Sequence, residues 1–203
     1  MRLLTIAAAT FALILSYEAI ATENQPYIEG RIGMLVPKDE NISFSDGTTG
    51  EGTWKLGIGY AGEIGIAGVN GTGLRLGVSV QAANLEVDKL CVIGAACIDG
   101  AGEDVSAQIY QAQAYYDLDP LLGFRPYVGV GFGLVDTDSD TTEIAASASV
   151  GLNYNVTENA YVGLRADYLY TDTEDTVDLG GGLTATGEET TMWSVGAVIG
   201  FRF

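Results

Sequence analysis

Residues 125–135 read RPYVGVGFGLV. Val128, Val130, Phe132 and Leu134 share one parity, and Tyr127, Gly129, Gly131 and Gly133 share the other. In an extended chain, successive side chains point to opposite faces. The stretch is therefore a strand with one continuous apolar face and one face of almost nothing but hydrogen.

Seven further stretches repeat the alternation, giving eight in all, near residues 26–36, 53–67, 73–86, 105–118, 125–135, 143–155, 160–170 and 190–203. In the first, Ile28, Ile32, Met34 and Val36 oppose Glu29, Arg31 and Gly33. In the last, Trp193, Val195, Ala197, Ile199, Phe201 and Phe203 oppose Ser194, Gly196, Gly200 and Arg202. The connections alternate in length. Three are short: 68–72 with its Asn70-Gly71 pair, 119–124 around Pro120, and 156–159. Asn-Gly suits a tight hairpin turn. The other four, 37–52, 87–104, 136–142 and 171–189, are mostly longer and rich in Asp and Glu.

A soluble barrel that carries its apolar face inside shows the same period. Three features assign the apolar face to lipid instead. The opposite face is mostly Gly, Ser and Ala, which fills a narrow lumen without crowding and makes a poor soluble exterior. The aromatics of the apolar face gather at strand ends, Trp54, Tyr168, Tyr170 and Trp193 toward the long loops and Tyr116, Tyr154, Phe201 and Phe203 toward the short turns, as in two interfacial girdles. The stretches also match the roughly 9–11 residues of a membrane strand. The expected fold is all-β, an eight-stranded antiparallel up-and-down transmembrane barrel, with both termini at the short-turn, periplasmic end.

Other segments bound the setting. Arg2, the apolar run at 3–15 and the small residues Ala19 and Ala21 read as an export signal over residues 1–21, cleaved after Ala21, with the barrel over 22–203. Export into an oxidising compartment predicts that Cys91 and Cys97 are joined as a local staple. The net charge of −18, from 27 acidic and 9 basic residues, argues against a nucleic-acid partner.

The YIEGRIG run at 27–33, RPYVGVGFG at 125–133, YVGLRADYLY at 161–170 and VGAVIGFRF at 195–203 together resemble the small outer-membrane β-barrel families, the OmpA-like transmembrane domain and the opacity-type surface proteins. The resemblance implies a bacterial outer-membrane location, with lipid and lipopolysaccharide as surroundings. It also implies that Phe203, Phe201 and Ile199 form the signal read by the barrel-assembly machinery. Because the chain stops at its last strand, the periplasmic peptidoglycan-binding domain of full OmpA proteins is not expected. A monomer is expected.

The small face carries Glu29, Arg31, Lys55, Glu63, Arg75, Arg165, Asp167 and Arg202. Charges in a narrow lumen must pair or be hydrated. The expectation is a structural ion-pair network that fills the barrel, with a narrow ion path as the alternative. Asp136, Asp138, Asp140 and Glu143 form one acidic loop cluster, and Asp172, Glu174, Asp175 and Asp178 another. Thr141 and Ser147 stand where an EF-hand loop needs Gly and Glu, so these clusters read as solvated loop surface, with weak cation binding as the alternative. The chain has no His, which removes Ser-His and Asp-His mechanisms. No catalytic residue, cofactor or metal site is expected. The sequence thus points to a structural or surface-interaction barrel whose loops meet a host or environmental ligand. A narrow ion or small-solute channel is the alternative, and an enzyme is third.

Overall fold

A computed structural model of the chain describes residues 24–38, 40–92, 97–99, 104–137, 142–172, 176–180, 183–187 and 190–203. The export segment read over 1–21 lies outside the described residues, as do Asp138, Asp140, Glu174 and Asp175. The described residues form thirteen strands: β1 (Gln25–Pro37), β2 (Glu40–Phe44), β3 (Thr49–Trp54), β4 (Gly57–Ala67), β5 (Leu74–Val92), β6 (Cys97–Asp99), β7 (Asp104–Asp117), β8 (Phe124–Thr137), β9 (Thr142–Asn155), β10 (Ala160–Asp172), β11 (Thr176–Gly180), β12 (Leu183–Gly187) and β13 (Thr190–Arg202).

Eight of them close a barrel. β1, β4, β5, β7, β8, β9, β10 and β13 pair antiparallel in that order, and β13 returns to β1. These are the eight alternating stretches of the sequence. Their outward residues are the apolar set: Ile32, Met34, Val130, Phe132, Leu164 and Ile199 are all exposed, as a lipid-facing band requires. Tyr168 and Trp193 pack with centroids 4.9 Å apart and rings tilted by 57° at the long-loop end, and the ring centroids of Phe124 and Tyr154 lie 5.4 Å apart at the short-turn end. Among the described residues no helix is long and apolar enough to cross a membrane; the crossing is made by strands.

The register fixes the barrel's shear. Following direct partners once round from Leu35, through Ser194, Asp167, Ser149, Gly129, Tyr115, Arg75 and Ala67, returns to β1 at Gln25, ten residues from the start. A stagger of ten over eight strands means that residues at one height shift by about 1.25 positions per strand, with the strands tilted accordingly.

Two local departures from the sequence reading have clear causes. The second stretch, read as one strand over 53–67, is broken at Lys55 and Leu56 into β3 and β4. The pairing of β4 with β1 ends at Leu35 opposite Gly57, whereas β3 turns to pair with β2. The connection read around Pro120 has its tip at Leu122-Gly123, where Leu121 and Phe124 exchange backbone hydrogen bonds and both central residues have positive φ (53° and 86°). That is the geometry of a two-residue hairpin turn matched to strand twist, and the Leu at its first position gave no sequence signal for it.

The long loops are also more ordered than their composition suggested. β11, β12, β2, β3, β5 and β6 form a second, antiparallel sheet beyond the barrel, built from the first, second and fourth long loops on the upper part of the 19-residue β5. Trp54 belongs to this loop sheet through its pairing with Val87, and not to the membrane girdle. Cys91 and Cys97 are direct cross-strand partners of β5 and β6 and are joined as a disulfide. In the β2–β3 turn, Asp46 accepts from the Thr48 hydroxyl (2.6 Å) and backbone N–H (2.9 Å). Those two bonds hold its carboxyl below the usual carboxylate range.

Candidate functional site: the barrel lumen

The inward parity of the eight barrel strands brings most of the chain's intramembrane charge to one place. Arg165 on β10 is the hub. Its Nε donates to Asp167 Oδ1 at 2.6 Å, its Nη1 to Glu63 Oε2 at 3.2 Å, and its Nη2 to Ser149 Oγ at 3.2 Å. Its Nη1 also stands 3.7 Å from Glu29 Oε1. Arg31 reaches Asp167 from β1 and donates to Gln81 Oε1 at 2.5 Å. Ser149 and Ser194 donate to the two Asp167 oxygens, at 2.6 and 3.0 Å. Nearer the short turns, Arg75 donates from Nε to Asp117 Oδ1 at 2.9 Å and lies 3.7 Å from Glu29. Arg202 and Arg125 approach the other Asp117 oxygen at 3.5 and 4.0 Å.

Tyrosines knit these ions together. Tyr161 donates to Glu29 at 2.8 Å, Tyr115 to Glu63 at 2.6 Å, and Tyr27 also to Glu63. The Arg75 guanidinium lies over three rings, 4.6 Å from the Tyr127 centroid, 4.7 Å from Tyr115 and 5.7 Å from Tyr27. Each ion thus meets an opposite charge, a hydroxyl or an aromatic face, which is what makes burial of charge tolerable. The rings need space, and glycine supplies it. A Cβ on Gly151 would stand 2.2 Å from the Tyr127 ring, and one on Gly200 2.1 Å from the Tyr161 ring.

The lumen changes character at the long-loop end. Leu35, Met192, Leu169, Ala145, Val135, Ile109 and Ala83, one from each of seven barrel strands, form a contiguous buried cluster. After allowance for the stagger they stand at one height. The eighth strand contributes Gly57, over which Leu85 packs, 2.8 Å from the place a Cβ would occupy. This ring closes the section with apolar side chains alone. Directly beneath it lies a water-sized cavity lined by Arg31, Gln81, Gln111, Asp167, Leu169 and Met192, among others.

Of the eight charged residues that the sequence placed on the lumen face, seven sit in the interlocked set: Glu29, Arg31, Glu63, Arg75, Arg165, Asp167 and Arg202. Lys55 does not. It has the inward parity but stands above the apolar ring, in the break between β3 and β4, where its Nζ meets Glu86 Oε1 at 2.5 Å in an exposed position. Sequence reading did not assign Asp117, Arg125 and the four tyrosines to the site. Asp117 is the last residue of β7, and Arg125 is only partly buried. The tyrosines were visible as large residues on an otherwise small face, and that contrast was the available signal. Phe201, Phe203 and Ile199 are on the lipid face and exposed. In the acidic clusters, Asp136 and Glu143 lie on the paired strands β8 and β9, Asp172 ends β10 and Asp178 lies in β11. Among the described residues no group of three or more acidic or Cys side chains could hold a metal ion.

The sequence profile described as "Outer membrane protein beta-barrel domain" matches residues 5–201. No curated protein sequence matches the chain. Solved structures with the same fold include the outer membrane protein OprG from Pseudomonas aeruginosa (TM-score 0.63, 14% identity, 88% of this chain and 96% of that one covered). Neisserial surface protein A (TM-score 0.55, 18% identity, 88% and 97% covered) and the outer membrane protein AlkL (TM-score 0.55, 16% identity, 93% and 95% covered) are also similar.

Proposed function

The chain belongs to the outer membrane protein beta-barrel domain family, and from that premise we propose that it is a closed, non-catalytic barrel that holds a small loop sheet at the cell surface for contact with lipopolysaccharide or with a host or environmental ligand. The interlocked lumen carries this reading. Arg31, Asp167, Arg165, Glu63, Glu29, Arg75, Asp117 and Arg202 are linked in one series of contacts of 4 Å or less across the lumen. Eight-stranded barrels have room for side chains and little else, and here that room is taken by paired ions and tyrosines. Among the described residues, the lumen carboxylates Glu29, Glu63, Asp117 and Asp167 are each engaged by an arginine, so none of them stands unpaired as a general base. The chain also lacks His. The loop sheet supports the surface role, because a paired sheet presents a defined face where an irregular loop would not.

Two measurements test the reading. Purified mature protein in a planar bilayer is expected to give no sustained conductance steps; large, long-lived wild-type openings would overturn the closed barrel. Deleting the β11–β12 hairpin is expected to leave the barrel folded and to weaken attachment to lipopolysaccharide monolayers or host cells. Unchanged attachment would remove the surface role from this sheet.

A further inference from the structure

We propose that the seal against permeation is the apolar ring of Leu35, Ile109, Val135, Leu169 and Met192, and that the charged network beneath it, though as tightly packed at rest, is a polar layer that takes up water from the short-turn end only, as its side chains move. The proposal rests on the closed-barrel reading and locates the closure within it.

Both layers are tightly filled, so packing alone does not choose between them. Their chemistry does. Among the described residues, every buried side-chain polar atom of the barrel lumen without a protein partner lies on the short-turn side of the ring: Arg75 Nη2, Gln111 Nε2, Gln113 Oε1, Tyr127 OH, both side-chain polar atoms of Asn153, and Arg202 Nε; Trp54 Nε1, the other such atom, belongs to the loop sheet. Buried polar groups of this kind take water as their partner. The network therefore offers a moving water or ion a succession of donors and acceptors. The ring offers none. Its side chains carry no nitrogen or oxygen, and its backbone groups are consumed in the strand ladders. A hydrated ion entering that section loses its shell and gains no replacement, the condition under which an apolar constriction excludes water.

The section is also complete. Seven strands contribute an apolar side chain, Leu85 fills the place over Gly57, and Leu35 packs along the neighbouring β4 to within 3.1 Å of the Cβ position of Gly59. Leu35, Ala83, Ile109 and Ala145 leave 2% or less of their surface accessible, and Arg75, Tyr115, Tyr127 and Tyr161 below are as deeply buried, so the two layers differ in chemistry and not in tightness. The polar layer begins immediately below, with Arg31, Gln81 and Asp167. The boundary between wettable and dry lumen is thus one layer thick.

The test uses the mature chain in planar bilayers with two near-isosteric double variants, both checked for folding by the heat-sensitive mobility shift of intact barrels. Leu169→Asn with Met192→Gln makes the ring polar and leaves the network untouched. Arg31→Gln with Asp167→Asn removes charge from the network and leaves the ring untouched. The ring variant is expected to raise the mean current by about tenfold or more over wild type, with the network variant staying silent. A silent ring variant overturns the proposal, whether or not the network variant conducts. A conducting wild type instead removes the closed-barrel reading, and does so before any substitution is compared.

If the ring pair does not fold, Val135→Thr, which keeps the side chain's size, takes its place under the same criterion. A second readout needs no ring substitution. With the native Cys91 and Cys97 replaced by Ser, a cysteine at Ser149 is expected to react with a small charged thiol reagent added at the short-turn side, at least about tenfold faster than from the long-loop side. Equal rates from both sides overturn the one-sided uptake of water.

Discussion

At the short-turn end the lumen is crossed by Arg75, held between Asp117 and Glu29 with three tyrosine rings around its guanidinium. At the long-loop end it is crossed by Leu35, Leu169 and Met192, which touch other hydrocarbon. The same strands supply both layers with the same inward parity. The lower layer is held by directional contacts, each of which needs its partner at hydrogen-bonding distance. The upper layer is held by contacts that tolerate small displacements as long as volume is filled. Loss of one member should therefore hurt the two layers by different routes, through an unmatched charge below and a cavity above.

The largest effect is expected below. Arg165→Ala strips Glu63, Glu29 and Asp167 of a shared guanidinium in a place where none of them is exposed to solvent. Breaking a buried pair in this way costs about 3–5 kcal/mol. Urea titration in lipid vesicles should show that loss. A wild-type midpoint would mean that the carboxylates are better hydrated than their burial indicates. Combining Arg165→Met with Glu63→Gln, which removes one charge of each sign and leaves Asp167 to Arg31 and Glu29 to Arg75, should recover much of the loss, because uncharged packing can replace an ion pair at little net cost.

Above, Leu35→Ala should cost about 2–5 kcal/mol, the range for emptying a leucine-sized site that relaxes only in part. The difference from Arg165 lies in the rescue. A second change that refills the volume, such as Ala83→Leu on the same ring, should restore stability to the Leu35 variant and do nothing for Arg165→Ala. If the two losses were rescued by the same substitution, the layers would not be energetically separate.

A smaller contrast lies within the tyrosine belt. Tyr115 donates to Glu63, whereas the Tyr127 hydroxyl has no protein partner although its ring is as deeply buried. Tyr115→Phe removes a bond to a buried carboxylate and should cost about 1.5–3 kcal/mol. Tyr127→Phe keeps the ring under Arg75 and over Gly151 and should cost about 0.5 kcal/mol or less. Equal losses in parallel unfolding curves would show that the rings, and not the hydroxyls, hold this layer.

Much of this was legible because period two is a strict rule. Once Val128, Val130 and Phe132 face lipid, Gly129 and Gly131 must face the lumen, and the same argument carried Arg31, Glu63, Arg75 and Arg165 inward. The shear was not legible. It depends on which residue of one strand lies opposite which residue of the next, and eight glycine-rich strands with similar faces permit several registers. Without the stagger, Leu35, Ile109, Val135, Leu169 and Met192 are scattered residues of the small face; with it, they are one ring. The loop sheet was hidden for a related reason. Stretches such as 40–44 and 176–180 are too short to announce themselves, and they become strands in a ladder that runs from β11 through β12, β2 and β3 to the upper part of β5.

Lys55 marks the limit of the parity rule and supports the smallest prediction. Two residues before Gly57 and on its parity, it belongs to the lumen face by alternation alone. Height decides otherwise, since it stands one layer beyond the ring, where the wall has opened into the loop sheet and its partner Glu86 is also exposed. An exposed pair of this kind contributes about 0–1 kcal/mol, and salt screens it further. Lys55→Ala should therefore shift the unfolding midpoint slightly at low salt and hardly at all at high salt, whereas Arg165→Ala should keep its large effect in both. The two variants, measured side by side over a range of salt concentration, place the boundary of the lumen by its dielectric environment. A salt-independent loss for Lys55→Ala comparable to that for Arg165→Ala would move that boundary above the ring and return Lys55 to the network.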